Sequence, residues 1–290
     1  MTDAAAAPPP VPETKPVRVS TEQKVQRPEW DNIQYVQRVL FFLLDCSHYL
    51  FAGLSVQKST LLYKEGKFSY HVLTPKYRDA ALMVLSRAFC TEPVVSALAK
   101  IKPEMETKFL DWVEFVDYWM DHCSSNGMSV VALDEKDHRV AGVFIVRDLL
   151  MVPPGFDTKY SSDAKTLTPW MQFLWHMDRE ATKKMPELGH PGKAVDLWFL
   201  GVHPDYRGNG IANYLVKGVV PLCAKAGFKY ATIEATSAFT SKAAMFNNFT
   251  SVHVEEAAQW KWKGKPLYTN AAKPHGTWTF WVKDLQKTDK

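Results

Sequence analysis

One stretch constrains this chain more than any other: the apolar run Leu197-Trp198-Phe199-Leu200-Gly201-Val202, then His203-Pro204-Asp205-Tyr206, then Arg207-Gly208-Asn209-Gly210-Ile211-Ala212. The run reads as a buried strand, and Gly208 to Ala226 reads as a helix closed by Gly227. A strand that ends in a glycine-bearing turn and a helix start aims several unpaired backbone N–H groups at one point, where the helix dipole adds partial positive charge. That arrangement is a cradle for a pyrophosphate. Gly208 and Gly210 let phosphate oxygens approach the main chain with no Cβ in the way, and Arg207 can add charge-assisted hydrogen bonds. Other phosphate patterns are missing, since the chain has no G-x-x-x-x-G-K-[ST] and the turn lacks G-x-G-x-x-G. The plain alternative is an ordinary strand-turn-helix connection.

Composition narrows the remaining classes. The chain has 290 residues, of which 46% are hydrophobic, 13% aromatic and 23% charged, so it can bury a sizeable core. Its 35 basic and 31 acidic residues give a net charge of +4 with no long basic block, which argues against a nucleic-acid partner. Cys46, Cys90, Cys123 and Cys223 lie far apart without metal-ligand spacing, so they read as reduced structural thiols and no metal is expected. The first residues lack a secretory pattern, and a cytoplasmic location is expected. The Asn248-Phe249-Thr250 acceptor triplet is then a chance match.

Three regions follow along the chain. Residues 1–28, rich in Ala and Pro, read as a disordered and dispensable tail. Residues 29–66 read as an apolar, helical extension. Within it, Val36 to Val56 is long enough to raise the question of a membrane span, but Arg38, Asp45 and His48 lie inside, and a central Arg or Asp costs about 2.5–3.5 kcal/mol on insertion. Val36, Val39, Leu40, Leu43 and Leu44 instead give an amphipathic helix that packs on the domain or rests on a membrane surface. Residues 67–290 alternate short strands and helices. Strands are expected at Phe68–Thr74, Met128–Leu133, His138–Arg147, Val195–Val202, Phe228–Ala235, Ser251–Glu255 and Thr277–Val282. Helices are expected at Pro75–Phe89, within Lys102–Ser125, around Pro169–Lys184 and at Thr236–Asn247. Met151 to Pro191 reads as an irregular insertion whose Trp170, Phe173, Leu174, Trp175 and Met177 either cover a pocket or simply fill the core.

Leu200 to Leu215 resembles motif A of the GNAT acetyltransferases. The resemblance implies an α/β fold with a central mixed, mostly antiparallel twisted sheet, splayed at the acyl-CoA site and flanked by helices. It also implies that acetyl-CoA is the co-substrate. The cofactor-binding residues would then be Leu200, Gly201 and Val202 on the splayed strand, with Arg207, Gly208, Asn209, Gly210, Ile211 and Ala212 around the pyrophosphate. Two further stretches resemble the insect-type arylalkylamine N-acetyltransferases. Arg87-Ala88-Phe89-Cys90-Thr91-Glu92-Pro93 is similar to a segment whose glutamate is the general base, and Ala235-Thr236-Ser237-Ala238-Phe239-Thr240-Ser241 is similar to a serine-rich stretch. Lys273-Pro274-His275 adds a third, shorter likeness. The resemblance therefore implies catalytic roles for Glu92, Thr236 and Thr240. Thr91 stands where that branch has aspartate and Asn248 where it has glycine. Ala244 stands where many GNAT members carry an acid tyrosine, which leaves the general acid unassigned.

The chemistry asks for such residues. An alkylammonium titrates near lysine, about 10.4, so at neutral pH a base must free the amine before it can attack. The expected reaction is acetyl transfer to a primary amine, a small arylalkylamine, with Glu92 as base and a monomeric chain. Acetylation of polyamine or protein amines is the enzymatic alternative. A coenzyme A sensor or scaffold without turnover is the other, and a solvent-facing Glu92 would favour it.

Overall fold

The computed structural model describes residues 59–92, 108–151, 168–271 and 273–287, all within the unit Val56–Lys290. The expected tail over 1–28, the helix over 36–56 and residues 152–167 of the insertion lie outside the described residues. The elements in chain order are β1 (Leu61–Glu65), β2 (Phe68–Val72), α1 (Arg78–Cys90), α2 (Phe109–Cys123), β3 (Val130–Asp134), β4 (Val140–Asp148) and α3 (Thr168–Lys184). After them come β5 (Ala194–Val202), α4 (Ile211–Lys225), β6 (Tyr230–Ala235), α5 (Ala238–Phe246), β7 (Thr250–Glu256), the short pair β8 (Lys261–Trp262) and β9 (Lys265–Pro266), and β10 (Thr277–Asp284).

Eight strands form one sheet in the order β1-β2-β3-β4-β5-β6-β10-β7. Every neighbouring pair is antiparallel except β5 and β6, which run parallel because α4 crosses over between them. The sheet begins at Leu61, ahead of Lys67 and inside the stretch read from sequence as helical. Leu61, Lys64 and Glu65 of this edge strand are exposed, so it carries no apolar alternation to betray it.

The helices form where the apolar spacing puts them. On α2, Trp112, Val113, Phe115, Val116, Trp119 and Met120 are buried along one broad face, and the Asp111 carboxylate receives the Lys108 N–H at the helix start. β3 and β4 are buried along nearly their whole length, as strands covered on both faces must be. One core cluster packs Ile211, Leu215, Val216 and Val219 of α4 on Val130, Phe144, Val195 and Leu197. A second joins Phe173, Met177 and Ala181 of α3 to Trp260, Tyr268, Trp278 and Phe280. Truncating a fully buried ring such as Phe280 to alanine would cost about 3–5 kcal/mol.

One departure concerns α4, at its start. It opens at Ile211, not at Gly208, because Gly208 (φ 82°) and Gly210 (φ 72°) hold the left-handed conformation that a right-handed helix cannot include. Helical structure also continues through Pro221 to Lys225. Among the described residues Cys90, Cys123 and Cys223 are free thiols.

Candidate active site

The site begins where two parallel strands part. β5 and β6 pair at Ala194 with Tyr230, Val195 with Ala231 and Asp196 with Thr232, and there the pairing stops, although β5 continues to Val202 and β6 to Ala235. The cause lies on the other edge of β5. Ile145 pairs with Phe199 but Val146 with Leu197, which leaves Trp198 as an extra residue that bends the strand. Beyond the bulge, His203 donates its N–H to the Ala141 carbonyl at 2.9 Å, so the main-chain groups of Gly201, two residues back, also face β4. By the same alternation those of Leu200 and Val202 face the gap left by β6. Leu200 and Val202 border the cavity in that gap, whereas Gly201 does not. A Cβ at Gly201 would meet Leu85 Cδ2 at 3.0 Å and Ala88 Cβ at 3.1 Å, so this glycine lets α1 close on the sheet.

The turn after β5 is built to present donors. Asn213 and Tyr214 donate the first helical bonds of α4 to the Gly210 carbonyl, which leaves the N–H groups of Ile211 and Ala212 ahead of the ladder. Gly208 has nothing within 4 Å of where a Cβ would stand, and Gly210 has only the Tyr214 ring, at 3.5 Å. Arg207, Gly208, Gly210, Ile211 and Ala212 all border the same cavity. Asn209 instead braces the turn from behind, where its side-chain amide donates to the Tyr206 carbonyl at 2.9 Å. Arg207 is steadied from α1, since its guanidinium donates to the Thr91 hydroxyl at 2.9 Å. Thr91, which in the sequence stands out only as a departure from the family pattern, thus ties the segment that carries Glu92 to the glycine turn.

Glu92 lies two residues past the end of α1, is only 9% exposed, and receives the Thr236 hydroxyl at 3.3 Å. Both border the cavity, with Thr240 one helical turn further on. The cap of α5 is Ser237, whose hydroxyl accepts the Thr240 N–H at 3.2 Å, so Thr236 is left to face Glu92. The Ser237 and Thr240 hydroxyls also meet at 3.0 Å. Tyr268 joins this neighbourhood without any sequence signal to mark it. It is fully buried, and its phenol is held well above the ordinary tyrosine range first by burial and then by the charge of Glu92.

The cavity has a volume of about 560 Å³. Its apolar wall joins Phe89 of α1, Trp170 and Leu174 of α3, and Trp198 and Phe199 of β5. Phe89 packs edge-on against Phe199 with ring centres 4.8 Å apart, and Trp170 stacks on Phe199 at 6.2 Å. Trp170 and Leu174 therefore cover a pocket, while Phe173 and Met177 belong to the second core.

A buried ionic cluster stands behind this wall. Arg147 donates to Asp196 at 2.9 Å, and its guanidinium lies 4.0 Å from the centre of the Trp198 ring. Burial raises the Asp196 carboxyl to about 6 despite the arginine, and Asp178 adds to the rise. Glu234 lines the cavity with its chain, but both its carboxylate oxygens are buried, and burial and then Asp178 hold its carboxyl well above the usual range. The facing carboxyls of Asp178 and Glu234 can satisfy each other only by sharing a proton.

Residues 103–246, from just ahead of α2 to the end of α5, match the Acetyltransferase (GNAT) family. The chain carries a GNAT acetyltransferase domain. GNAT enzymes are N-acetyltransferases that use acetyl-CoA, and in this domain the glycine turn presents main-chain donors beside the gap where β5 and β6 part. No curated protein matches the chain in sequence. Solved structures share the fold. The C-terminal condensation domain of Ebony, in complex with beta-alanyl-dopamine, superimposes with a TM-score of 0.64 at 14% identity, over 75% of this chain and 99% of that one. Mosquito arylalkylamine N-acetyltransferase like 5b gives a TM-score of 0.59 at 21% identity, over 75% and 99%. The Drosophila melanogaster polyamine N-acetyltransferase gives 0.56 at 14%, again over 75% and 99%. Among the described residues of this GNAT domain, no helix is long and apolar enough to cross a membrane.

Proposed function

We propose that this GNAT domain transfers the acetyl group of acetyl-CoA to the primary amine of a small arylalkylamine, with Glu92 as general base. The observation that carries this reading is the placement of Glu92: buried at the cavity wall, held by Thr236, and within the same cavity as the parted strand and the glycine turn. A solvent-facing Glu92 would have suited a coenzyme A sensor.

Acetyl-CoA supplies an activated thioester. Gly208, Gly210, Ile211 and Ala212 would hold its pyrophosphate through main-chain N–H groups, with Arg207 adding charge. Leu200 and Val202 turn main-chain groups into the gap, and the Val202 N–H is the donor assigned to charge developing on a carbonyl oxygen there. Glu92 takes the proton of the incoming ammonium, directly or through water, while the Thr236 hydroxyl keeps its carboxylate oriented. Thr240, beside Ser237, is placed to hold a water or the departing sulfur.

The small, ring-lined cavity supports a compact aromatic acceptor more than a protein chain, which needs an open groove. The test is thiol release from acetyl-CoA with a panel of tryptamine, phenethylamine, agmatine, spermidine and a lysine peptide. Turnover on the aryl amines above the others supports the reading. Preference for a polyamine or peptide moves the substrate class, and no turnover on any amine, with acetyl-CoA bound, overturns the enzymatic role.

A further inference from the structure

Away from the cavity, α3 and β7 bring together three side chains that ligate metals. His253 and Glu255 are two residues apart on β7 and so project from the same face, and α3 packs there and contributes His176. His176 Nε2 lies 2.6 Å from Glu255 Oε2, and His253 Nε2 lies 3.3 Å from the same oxygen. One donor atom from each residue falls within 4.8 Å of the other two. The three side chains are 26%, 14% and 20% exposed, so they are partly shielded yet open to an ion from solvent.

Two imidazoles and one carboxylate are a zinc ligand set that leaves a fourth position for water. Bonds of about 2.0–2.1 Å in a tetrahedron separate neighbouring donors by about 3.3 Å. Two of the three separations, 2.6 and 3.3 Å, lie at or below that figure and the third is within 4.8 Å, so small side-chain rotations would bring the donors to it. Calcium and magnesium, which favour oxygen, do not fit a pair of imidazoles. We propose that His176, His253 and Glu255 bind one divalent transition-metal ion of the zinc class and thereby clamp α3 to β7.

Lys184 sets the condition for binding. Its ammonium donates to His253 Nδ1 at 3.2 Å and to the Val252 carbonyl at 3.0 Å. Because an ammonium only donates, Nδ1 is an acceptor and the ring proton sits on Nε2, the atom that faces Glu255. A metal on Nε2 requires that proton to move to Nδ1, so Lys184 must swing into solvent, where its exposed side chain has room. Glutamine at this position would instead accept from Nδ1–H and orient the ring as an outer partner does for metal-bound histidines. The clamp would also steady the helix whose Trp170 and Leu174 wall the cavity, but metal binding does not depend on the acetyl-transfer reading.

The test is calorimetric titration of the chelator-treated full chain with Zn²⁺, and with Co²⁺ as a spectroscopic probe. The expected result is one ion per chain, bound at least tenfold more weakly by both His176→Ala and Glu255→Gln and more tightly by Lys184→Gln. Cobalt should give visible d–d bands without a thiolate charge-transfer band. Circular dichroism checks that each variant is folded, which the partial exposure of these side chains favours. No binding to the wild-type chain, affinity retained in both ligand-removing variants, or a thiolate band that places the ion on cysteine would each overturn the site.

Discussion

The Thr236 hydroxyl donates to the Glu92 carboxylate across 3.3 Å and joins the end of β6 to the segment after α1, 144 residues apart in sequence. The contact holds a carboxylate on the wall of the cavity that Leu200 and Val202 also border, and the proposed chemistry depends on it.

Glu92→Gln keeps size and most hydrogen bonding but removes the basic electron pair. The catalytic rate should fall by about 10²- to 10⁴-fold while acetyl-CoA affinity holds. The defect should shrink at high pH, because solution then supplies free amine as pH nears the acceptor's own value of about 10.4. Rate measurements from pH 6.5 to 9.5 decide this. A Gln variant with the wild-type rate at neutral pH would remove Glu92 as the base, and an equal defect at every pH would make it a positioning group.

Gly210 holds φ at 72°, at the head of α4. Replacement by Glu adds a Cβ where the backbone is left-handed and a negative charge where a pyrophosphate would lie. Calorimetry should show acetyl-CoA binding lost, with the fold retained by circular dichroism. Unchanged affinity in the folded variant would place the co-substrate elsewhere.

Trp170 closes the ring-lined wall, where it stacks on Phe199. Trp170→Ala should raise KM for the amine about tenfold or more, as a lost aromatic contact and a widened pocket demand, and leave KM for acetyl-CoA within about twofold. Steady-state kinetics with each substrate varied separates the two. Equal effects on both constants would show that Trp170 supports the whole fold and not the acceptor side.

How far the sequence alone reveals the site follows from the range of the interactions. The glycine turn is legible because strand, turn and helix start are contiguous, and Gly208 and Gly210 mark the backbone by their chemistry. Glu92, Thr236 and Thr240 emerge through resemblance alone; nothing local shows that Ser237 takes the cap and frees Thr236. The wall that joins Phe89, Trp170 and Phe199 draws on three distant elements, so each ring reads equally well as core. β1 escapes because an exposed edge strand has no buried face to pattern. His176 and His253 lie far apart in sequence at no spacing that signals a metal, and only the packing of α3 on β7 brings them together.

The buried carboxyls behind the cavity give the last prediction. Glu234 has its carboxyl raised in the folded chain by burial and by Asp178, so the folded state holds a proton that the unfolded state releases at lower pH. For an acid raised on folding, the contribution to stability is greatest below the unfolded value, about 4.3, and falls as pH climbs toward the folded value. Asp196, raised to about 6, behaves in the same sense. Wild-type protein should therefore lose stability between pH 5 and pH 8. Glu234→Gln matches the protonated carboxyl in shape and cannot ionise, so it escapes that part of the loss. Thermal melts should show the variant gaining on wild type as pH rises, with the difference in Tm larger at pH 8 than at pH 5. A difference that is constant with pH, or that shrinks toward pH 8, would mean that Glu234 is ionised in the folded protein and paired by Arg147 instead of sharing a proton with Asp178.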